Sequence, residues 1–344
     1  MQKRRLGRTE LIVPILGFGG IPIGERCTAE EAERTLRAAL EEGIVFYDTA
    51  RAYKESEARI GKAFKKVREK VILATKSRER TQSAILREID ASLSDLATDY
   101  IDLYQLHAVD SEDDLEAVLS EDGALQGLKR ARQRGKIRFI GVTGHNPEIL
   151  IKACKTGEFD TVQVPVNILD RFIFRPEEAL LPTARSMDMG VIAMKPLAGG
   201  TIKELDLALR YTLSQDIDVA IPGMGSIKEV LDNVGVARRF EPLDEASFDR
   251  LLKEAKALGT EVCRQCGYCQ PCPQGIEIRE VFRLEGMFDR YEQKEPARVG
   301  FRNLIDSGSN PAECAECGEC EQRCPYHLPI RRKLKKAVEK FLRA

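Results

Sequence analysis

Two groups of residues in this sequence could do chemistry. Eight of the ten cysteines crowd into CRQCGYCQPCP (263–273) and CAECGECEQRCP (314–325). Zinc commonly takes four ligands as two separated Cys-x-x-Cys pairs, whereas three cysteines at two-residue gaps followed by a further Cys-Pro wrap a cubane. Cys314, Cys317, Cys320 and Cys324 follow that cubane pattern without departure. Cys263, Cys266, Cys269 and Cys272 depart from it by one residue, because only Gln270 and Pro271 separate the last two. Four-iron, four-sulfur clusters are therefore expected, two of them if both runs are filled. A single cluster on 314–324, with the first run holding zinc or nothing, is the alternative. The second group is Asp48, Lys76 and His107, each a polar residue closing a short apolar run. Singly, each reads as an ordinary loop residue or a satisfied core histidine; their placement on successive runs is the signal.

The elements that must hold these residues follow from the hydrophobic period. Between residues 10 and 240, β-rich runs alternate with longer segments of helical spacing. The strand candidates are PILGFGG, IVFYDTA, VILATKS, IDLYQLH, FIGVTGH, TVQVPVN, VIAMKPL and VAIPGM. Helical stretches between them, such as TAEEAERTLRAALEEG, TQSAILREIDASLSDL and SIKEVLDNVGVARRF, open on a Thr or Ser able to cap the first turn. Eight strand-then-helix units predict an α/β fold, a (β/α)8 TIM barrel, with a doubly wound sheet as the lesser alternative. No GxGxxG follows the first strand, which weighs against a dinucleotide-binding sheet of that kind. In a barrel, functional side chains belong at the C-terminal strand ends, and Asp48, Lys76 and His107 are there. After the amphipathic stretch DEASFDRLLKEAKALG the composition turns to cysteine, arginine and proline. The predicted boundary lies there: a barrel over 1–258 and a small, mainly α-helical iron-sulfur domain over 259–344.

With 43% hydrophobic and 32% charged residues and a formal net charge of −1, the 344-residue chain can bury a large core. That balance offers no global field for nucleic acid. No run of 18 apolar residues occurs, so neither a membrane span nor a signal peptide is expected. The remaining cysteines, Cys27 and Cys154, read as small buried apolar side chains. Clustered thiols suit a reducing compartment, and a cytoplasmic location is expected.

The barrel segment resembles the aldo-keto reductases. The pieces that carry the resemblance are DTARAYKESEARIGKA (48–63), ATK (74–76), LYQLH (103–107), GVT (141–143), the glutamine of TVQVPVN, PLAGG (196–200) and IPGMGSIKEVLDN (221–233). The resemblance implies a catalytic tetrad of Asp48, Tyr53, Lys76 and His107, a nicotinamide cofactor and a small carbonyl or alcohol substrate. Carbonyl reduction by hydride leaves charge growing on oxygen and needs a nearby proton donor. Tyr53 would be that donor, Lys76 would lower its pKa, Asp48 would be the counter-charge, and His107 would orient the carbonyl. The resemblance further implies that Thr143 and Gln163 hold the nicotinamide carboxamide and that Pro222, Gly223 and Met224 lie along the cofactor. It sets Asp232 and Asn233 near the adenine. Two departures stand out: Gly144 replaces the usual asparagine and is followed by His145, and Gly223 and Glu229 occupy positions where a 2′-phosphate usually meets cations. NAD(H) is therefore favoured over NADP(H).

The two cysteine runs are an internal repeat, each continuing through an aliphatic residue to Ile-Arg, at Arg279 and Arg331. In two-cluster ferredoxins the fourth cysteine of each run serves the other cluster. Here that would join Cys324 to Cys263, Cys266 and Cys269, and Cys272 to Cys314, Cys317 and Cys320. With helical REVFRLEGMFDRYEQ and VGFRNLI between the runs, the module resembles an α-helical dicluster ferredoxin domain. The terminal RRKLKKAVEKFLRA reads as a packed, solvated helix or as a docking face for an acidic, ferredoxin-like electron carrier. Hydride moves two electrons and a cluster one, and the sequence shows no flavin motif to convert between them. An electron-transfer or partner-binding subunit with a non-catalytic or flavin-binding barrel is the alternative function.

Overall fold

The computed structural model describes residues 1–342. Contacts divide it into two compact units, Met1–Ala198 with Glu204–Ala255, and Gly199–Lys203 with the chain from Lys256 onward.

In the first unit, strands β1 (Lys3–Arg5) and β2 (Ile12–Pro14) form an antiparallel hairpin. Eight parallel strands follow: β3 (Phe18–Gly19), β4 (Phe46–Asp48), β5 (Ile72–Ser77), β6 (Ile101–Leu106), β7 (Ile137–Thr143), β8 (Thr161–Pro165), β9 (Gly190–Met194) and β10 (Val219–Ile221). They pair in sequence order, and parallel bridges Leu16↔Ala220 and Gly19↔Gly223 join the first to the last. The architecture is a TIM barrel with helices outside. All eight expected strands form. The N-terminal hairpin was not anticipated, because its strands KRR and IVP are only three residues long. Pro14, expected to open the first barrel strand, ends the hairpin instead.

Strand alternation explains both cores and the site. Phe46, Ala74, Leu103, Ile192 and Val219 point inward and pack with Leu6 and Val13 of the hairpin region. Tyr47, Leu73, Tyr104 and Val191 point outward against the helices. Two residues beyond an inward residue the chain points inward again, so Phe46 leads to Asp48, Ala74 to Lys76, and Leu103 to Gln105 and His107. Buried polar groups thus form the top layer over an apolar barrel interior.

Thr28 and Ser226 cap their helices with complete capping boxes, as their sequences suggest. Thr81 makes no side-chain cap; it bridges Gly123 instead, with the Gln82 N–H on the Asp122 carbonyl at 2.7 Å. Cys154 is buried in the outer core and Cys27 packs at its edge.

The second unit is mainly helical, with helices at Ile278–Asp289, Lys294–Asp306 and Ile330–Leu342. Val281, Phe282, Phe301, Leu334 and Ala337 are buried, and Phe301 stacks on Phe341 at 4.4 Å between ring centroids. Among the described residues no helix is long and apolar enough to cross a membrane.

Candidate functional site

At the C-terminal mouth of the barrel, the Lys76 ammonium lies 2.5 Å from Asp48 Oδ1 and donates to the Thr49 carbonyl at 2.7 Å. Both partners are almost wholly buried. Burial pushes the Asp48 carboxyl up and the Lys76 ammonium down, and each charge opposes the shift of the other. Lys76 Nζ sits 5.0 Å from the Tyr53 ring centroid, and the Tyr53 and His107 rings meet edge-on at 5.9 Å. Burial, reinforced by the Lys76 charge, holds the His107 imidazole well below its ordinary range and therefore neutral.

Tyr53 reaches this position on a tightly tied loop. The Thr49 and Arg51 N–H groups donate to the Ala74 and Lys76 carbonyls at 2.8 and 3.0 Å, continuing the β4–β5 ladder. Tyr53 N–H turns back to the Ala50 carbonyl at 3.0 Å, and Ser56 Oγ donates to the Gly20 carbonyl at 2.9 Å. Beneath the loop, buried Glu57 accepts from Thr75 Oγ1 at 2.6 Å and pairs with Arg51. Arg51, Ser56 and Glu57 were not singled out from the sequence, since each reads as an ordinary polar residue of a helix start.

Gln105 was also missed. Its amide donates to Asp48 Oδ2 at 3.3 Å and to Gln163 Oε1 at 3.1 Å, tying the Asp48–Lys76 pair to Gln163. The available signal was its place two residues before His107 in LYQLH, on the same face of the strand. Thr143 Oγ1 accepts from the Ala108 N–H at 3.3 Å, and Gln163 Nε2 faces the Met194 thioether at 3.8 Å. A thioether is a weak acceptor, so the Gln163 amide is suited to exchange it for a carboxamide oxygen. Both residues are buried.

Pro222, Gly223 and Met224 follow β10. The Gly19 N–H donates to the Pro222 carbonyl at 2.9 Å, and the Met224 N–H to the Gly19 carbonyl at 3.3 Å. Asn233 donates to the Glu229 carbonyl at 2.8 Å, while its buried Oδ1 has no hydrogen-bond partner among the described residues and could accept from an adenine amino group. Asp232 is exposed and paired with Lys228 at 2.6 Å. Glu229 fills the third position of the capping box: its Oε2 accepts from the Gly225 and Ser226 N–H groups at 2.6 and 3.1 Å. Gly144 has a steric reason. A Cβ there would lie 2.7 Å from both Asp110 Oδ1 and the Val109 carbonyl, so an asparagine has no room.

In the second unit the sequence repeat is a repeat of backbone conformation. Gln265 and Gly267 have φ of 57° and 78°, and their counterparts Glu316 and Gly318 have 53° and 80°. Gly275 and His327, each three residues after the fourth cysteine, have φ of 69° and 49°. The Gly275 N–H donates to the Cys272 carbonyl at 2.9 Å and the His327 N–H to the Cys324 carbonyl at 3.0 Å. Each repeat's arginine lies over its own loop, Arg279 beside Gly267 and Arg331 beside Gly318. Left-handed residues two positions apart are of the kind that can turn backbone N–H groups toward an anionic cluster.

The thiols act on one another electrostatically, within and across the two runs. Cys263 is pushed up to about 12 by burial first, with Cys266 and Cys324 adding to it. Cys320 is pushed up to about 11 by burial, then by Glu321, Cys314, Cys272 and Cys317. Cys263 and Cys320 are thus each raised in part by the other run's fourth cysteine. Cys269 feels both Cys324 and Cys320. Among the described residues no three His, Cys, Asp or Glu side chains converge tightly enough for a single ion. A four-iron cluster makes no such demand, because each thiolate binds its own iron.

The terminal helix is largely neutralised within its own unit. Arg331 pairs with Glu321, Arg332 with Glu261, Lys333 with Glu285, Lys335 with Glu316, and Lys340 with Glu285 and Asp289. That pattern accords with a packed, solvated helix.

Residues 15–206 match the aldo/keto reductase family, and the chain belongs to it. Residues 262–328 match a 4Fe-4S dicluster domain. An uncharacterized oxidoreductase of Bacillus subtilis, YqkF, is 31% identical over 221 residues, 60% of this chain and 68% of that protein. An aldo-keto reductase from Bacillus halodurans in its holo form superposes with a TM-score of 0.64 at 29% identity, covering 75% of this chain and 96% of that one. One from Klebsiella pneumoniae, in complex with NADPH, gives 0.61 at 25% identity, covering 74% and 95%.

Proposed function

We propose that the barrel, residues 1–258, reduces an aldehyde or ketone, or oxidises the alcohol, with a nicotinamide cofactor, and that Tyr53 is the general acid. The carrying observation is the gathering of four side chains: Lys76 Nζ at 2.5 Å from Asp48 and 5.0 Å from the Tyr53 ring, with His107 edge-on to that ring. Bound nicotinamide would supply the hydride. Tyr53 gives its hydroxyl proton to the carbonyl oxygen as charge grows there. The Lys76 ammonium stabilises the phenolate left behind, and Asp48 keeps that ammonium charged in a buried site. Neutral His107 donates to the same oxygen and fixes its direction. Thr143 and Gln163 hold the carboxamide, Pro222, Gly223 and Met224 line the cofactor, and Asp232 and Asn233 lie at the adenine.

Because burial holds His107 far below its ordinary range, it stays neutral through the working range. The kcat/KM profile between about pH 6 and 8 is expected to lack a histidine limb near 6.5. A limb there that disappears in His107→Gln would contradict the assignment.

NAD(H) is the proposed cofactor. A 2′-phosphate would seek the N–H groups at the start of the helix Ile227–Arg238, and the Glu229 carboxylate already accepts from those of Gly225 and Ser226. Glu229→Gln keeps a cap acceptor and removes the charge. It is expected to shift the NADPH-to-NADH ratio of kcat/KM by about tenfold toward NADPH; an unchanged ratio would remove Glu229 from cofactor choice.

The iron-sulfur domain, residues 259–344, is proposed to hold two [4Fe-4S] clusters, with thiolates from Cys263, Cys266, Cys269 and Cys324, and from Cys314, Cys317, Cys320 and Cys272. Such clusters would supply one-electron steps, with a small ferredoxin-like carrier as the proposed partner and a reducing, cytoplasmic setting. Anaerobic purification with iron and sulfide analysis, followed by nicotinamide titration and a carbonyl-reduction assay, tests the whole reading. About eight irons, saturable cofactor binding and turnover are expected. Zinc in place of iron, or a flavin in place of nicotinamide, would overturn the corresponding part.

A further inference from the structure

Asp110, His145 and Lys195 form a second polar constellation at the barrel mouth, separate from the four residues around Lys76. Asp110 follows β6, His145 follows β7 and Lys195 follows β9. The Asp110 carboxylate accepts from the backbone N–H groups of His145 and of Asn146, the latter at 3.1 Å, and its Oδ2 lies 3.3 Å from His145 Nδ1. A carboxylate facing Nδ1 keeps the ring proton there, so Nε2 offers a lone pair. Lys195 Nζ meets that nitrogen at 2.6 Å. The ring is buried, and burial with the Lys195 charge beside it pushes His145 below its ordinary range. A neutral ring accepts from the ammonium without cancelling its charge.

Two further features show that this arrangement is built. Lys195 has a φ of 55°, which side-chain-bearing residues seldom adopt, and its carbonyl accepts from the Asn167 amide at 3.0 Å. Gly144 lacks a side chain where one would collide with the Asp110 carboxylate. Chain and hydrogen bonds tie this group to the proposed reacting site: Lys195 follows Met194, whose thioether the Gln163 amide faces at 3.8 Å, and His145 lies two residues beyond Thr143, whose hydroxyl accepts from the Ala108 N–H next to His107 at 3.3 Å. Lys195 and His145 both contribute to lowering His107, although two strands separate β6 from β9 around the barrel.

We propose that Lys195, oriented by His145 and Asp110, binds a carboxylate on the substrate, so that this barrel selects oxo acids over neutral aldehydes and ketones. The inference rests on the reading of Tyr53 and His107 as the carbonyl-reducing pair. Lys195 is the binding residue; His145 and Asp110 act through it as positioning residues. An ammonium held on a neutral ring near the carbonyl site can form a charge-assisted hydrogen bond to a carboxylate, and such bonds discriminate strongly against uncharged analogues.

The test compares 2-, 3- and 4-oxobutanoate with their methyl esters as substrates for the wild-type protein, Lys195→Met, Lys195→Arg and His145→Phe. Equilibrium binding of the same acids is followed by saturation-transfer NMR. For the favoured acid, Lys195→Met is expected to lower kcat/KM by about thirty- to a hundredfold, mainly through KM, with the matching ester changed less than about threefold. Lys195→Arg restores part of the loss, and His145→Phe falls between the two. Equal losses for acid and ester, or a loss that falls on the KM of the nicotinamide cofactor, would overturn the proposal. Should the wild-type protein reduce neither acid nor ester, the tetrad reading fails. The NMR comparison still decides the subsite: acid binding lost in Lys195→Met sustains it, and binding unchanged in that variant removes it.

Discussion

Tyr53→Phe is expected to lower kcat for carbonyl reduction by about a hundred- to ten-thousandfold while leaving nicotinamide affinity within about twofold. The substitution removes one hydroxyl and keeps the ring, so the edge-on contact with His107 and the position of the Lys76 ammonium over the ring survive. What is lost is the proton for the carbonyl oxygen, and a backbone-tied loop cannot bring another donor to the same point. Turnover and cofactor titration measured on one preparation separate the two quantities. Full activity in the phenylalanine variant would move the proton donor elsewhere, His107 being the nearest candidate. Removing Lys76 is a poorer test of chemistry. Lys76→Met strands Asp48 as an unpaired buried carboxylate, at a cost of about 3–5 kcal/mol in stability, so lost activity there confounds mechanism with folding.

The placement of Asp48, Lys76 and His107 at one barrel mouth was legible because barrel geometry makes a strong demand on sequence, whereas Tyr53 joined them only through the family resemblance. Inward residues alternate, so a polar residue closing an apolar strand stands at the mouth, and Asp48, Lys76 and His107 each interrupt such a run. Gln105 obeys the same period but sits inside the run rather than at its end, and a single buried glutamine carries no sign of which partners it ties. Arg51, Ser56 and Glu57 were illegible for a different reason: they act through backbone carbonyls and through each other across the fold. The Asp110–His145–Lys195 contact joins three loops separated by up to 85 positions in the chain, and no local period brings such residues together. In the iron-sulfur domain the reverse holds. Spacing there is chemistry, since a short loop can place its thiolates around a cluster in few ways, and the repeat of Gln265 and Gly267 in Glu316 and Gly318 follows from it. The N-terminal hairpin escaped because strands of three residues carry almost no periodic signal.

Exchange of the fourth cysteines makes a prediction that iron counting can read. If Cys324 serves the cluster of Cys263, Cys266 and Cys269, Cys324→Ala removes that cluster and leaves the other, so iron falls from about eight to about four per chain. Pairing substitutions then identifies partners by non-additivity, because two changes to one site cost no more than one. Cys324→Ala with Cys263→Ala is expected to retain about four irons, whereas Cys324→Ala with Cys314→Ala is expected to retain almost none. Local ligation, with each run holding its own cluster, predicts the opposite pair of results. The electrostatics of the thiols support exchange in part: Cys266 and Cys324 raise Cys263, and Cys314, Cys272 and Cys317 raise Cys320, while Cys269 is raised by both Cys324 and Cys320. Electron paramagnetic resonance of the reduced single variants adds a second readout. Among the described residues Cys317 is the only exposed cysteine, so a cluster ligated by it would be the one nearer solvent. Cys324→Ala should therefore leave a signal that broadens readily with an external paramagnet, and Cys272→Ala one that resists it.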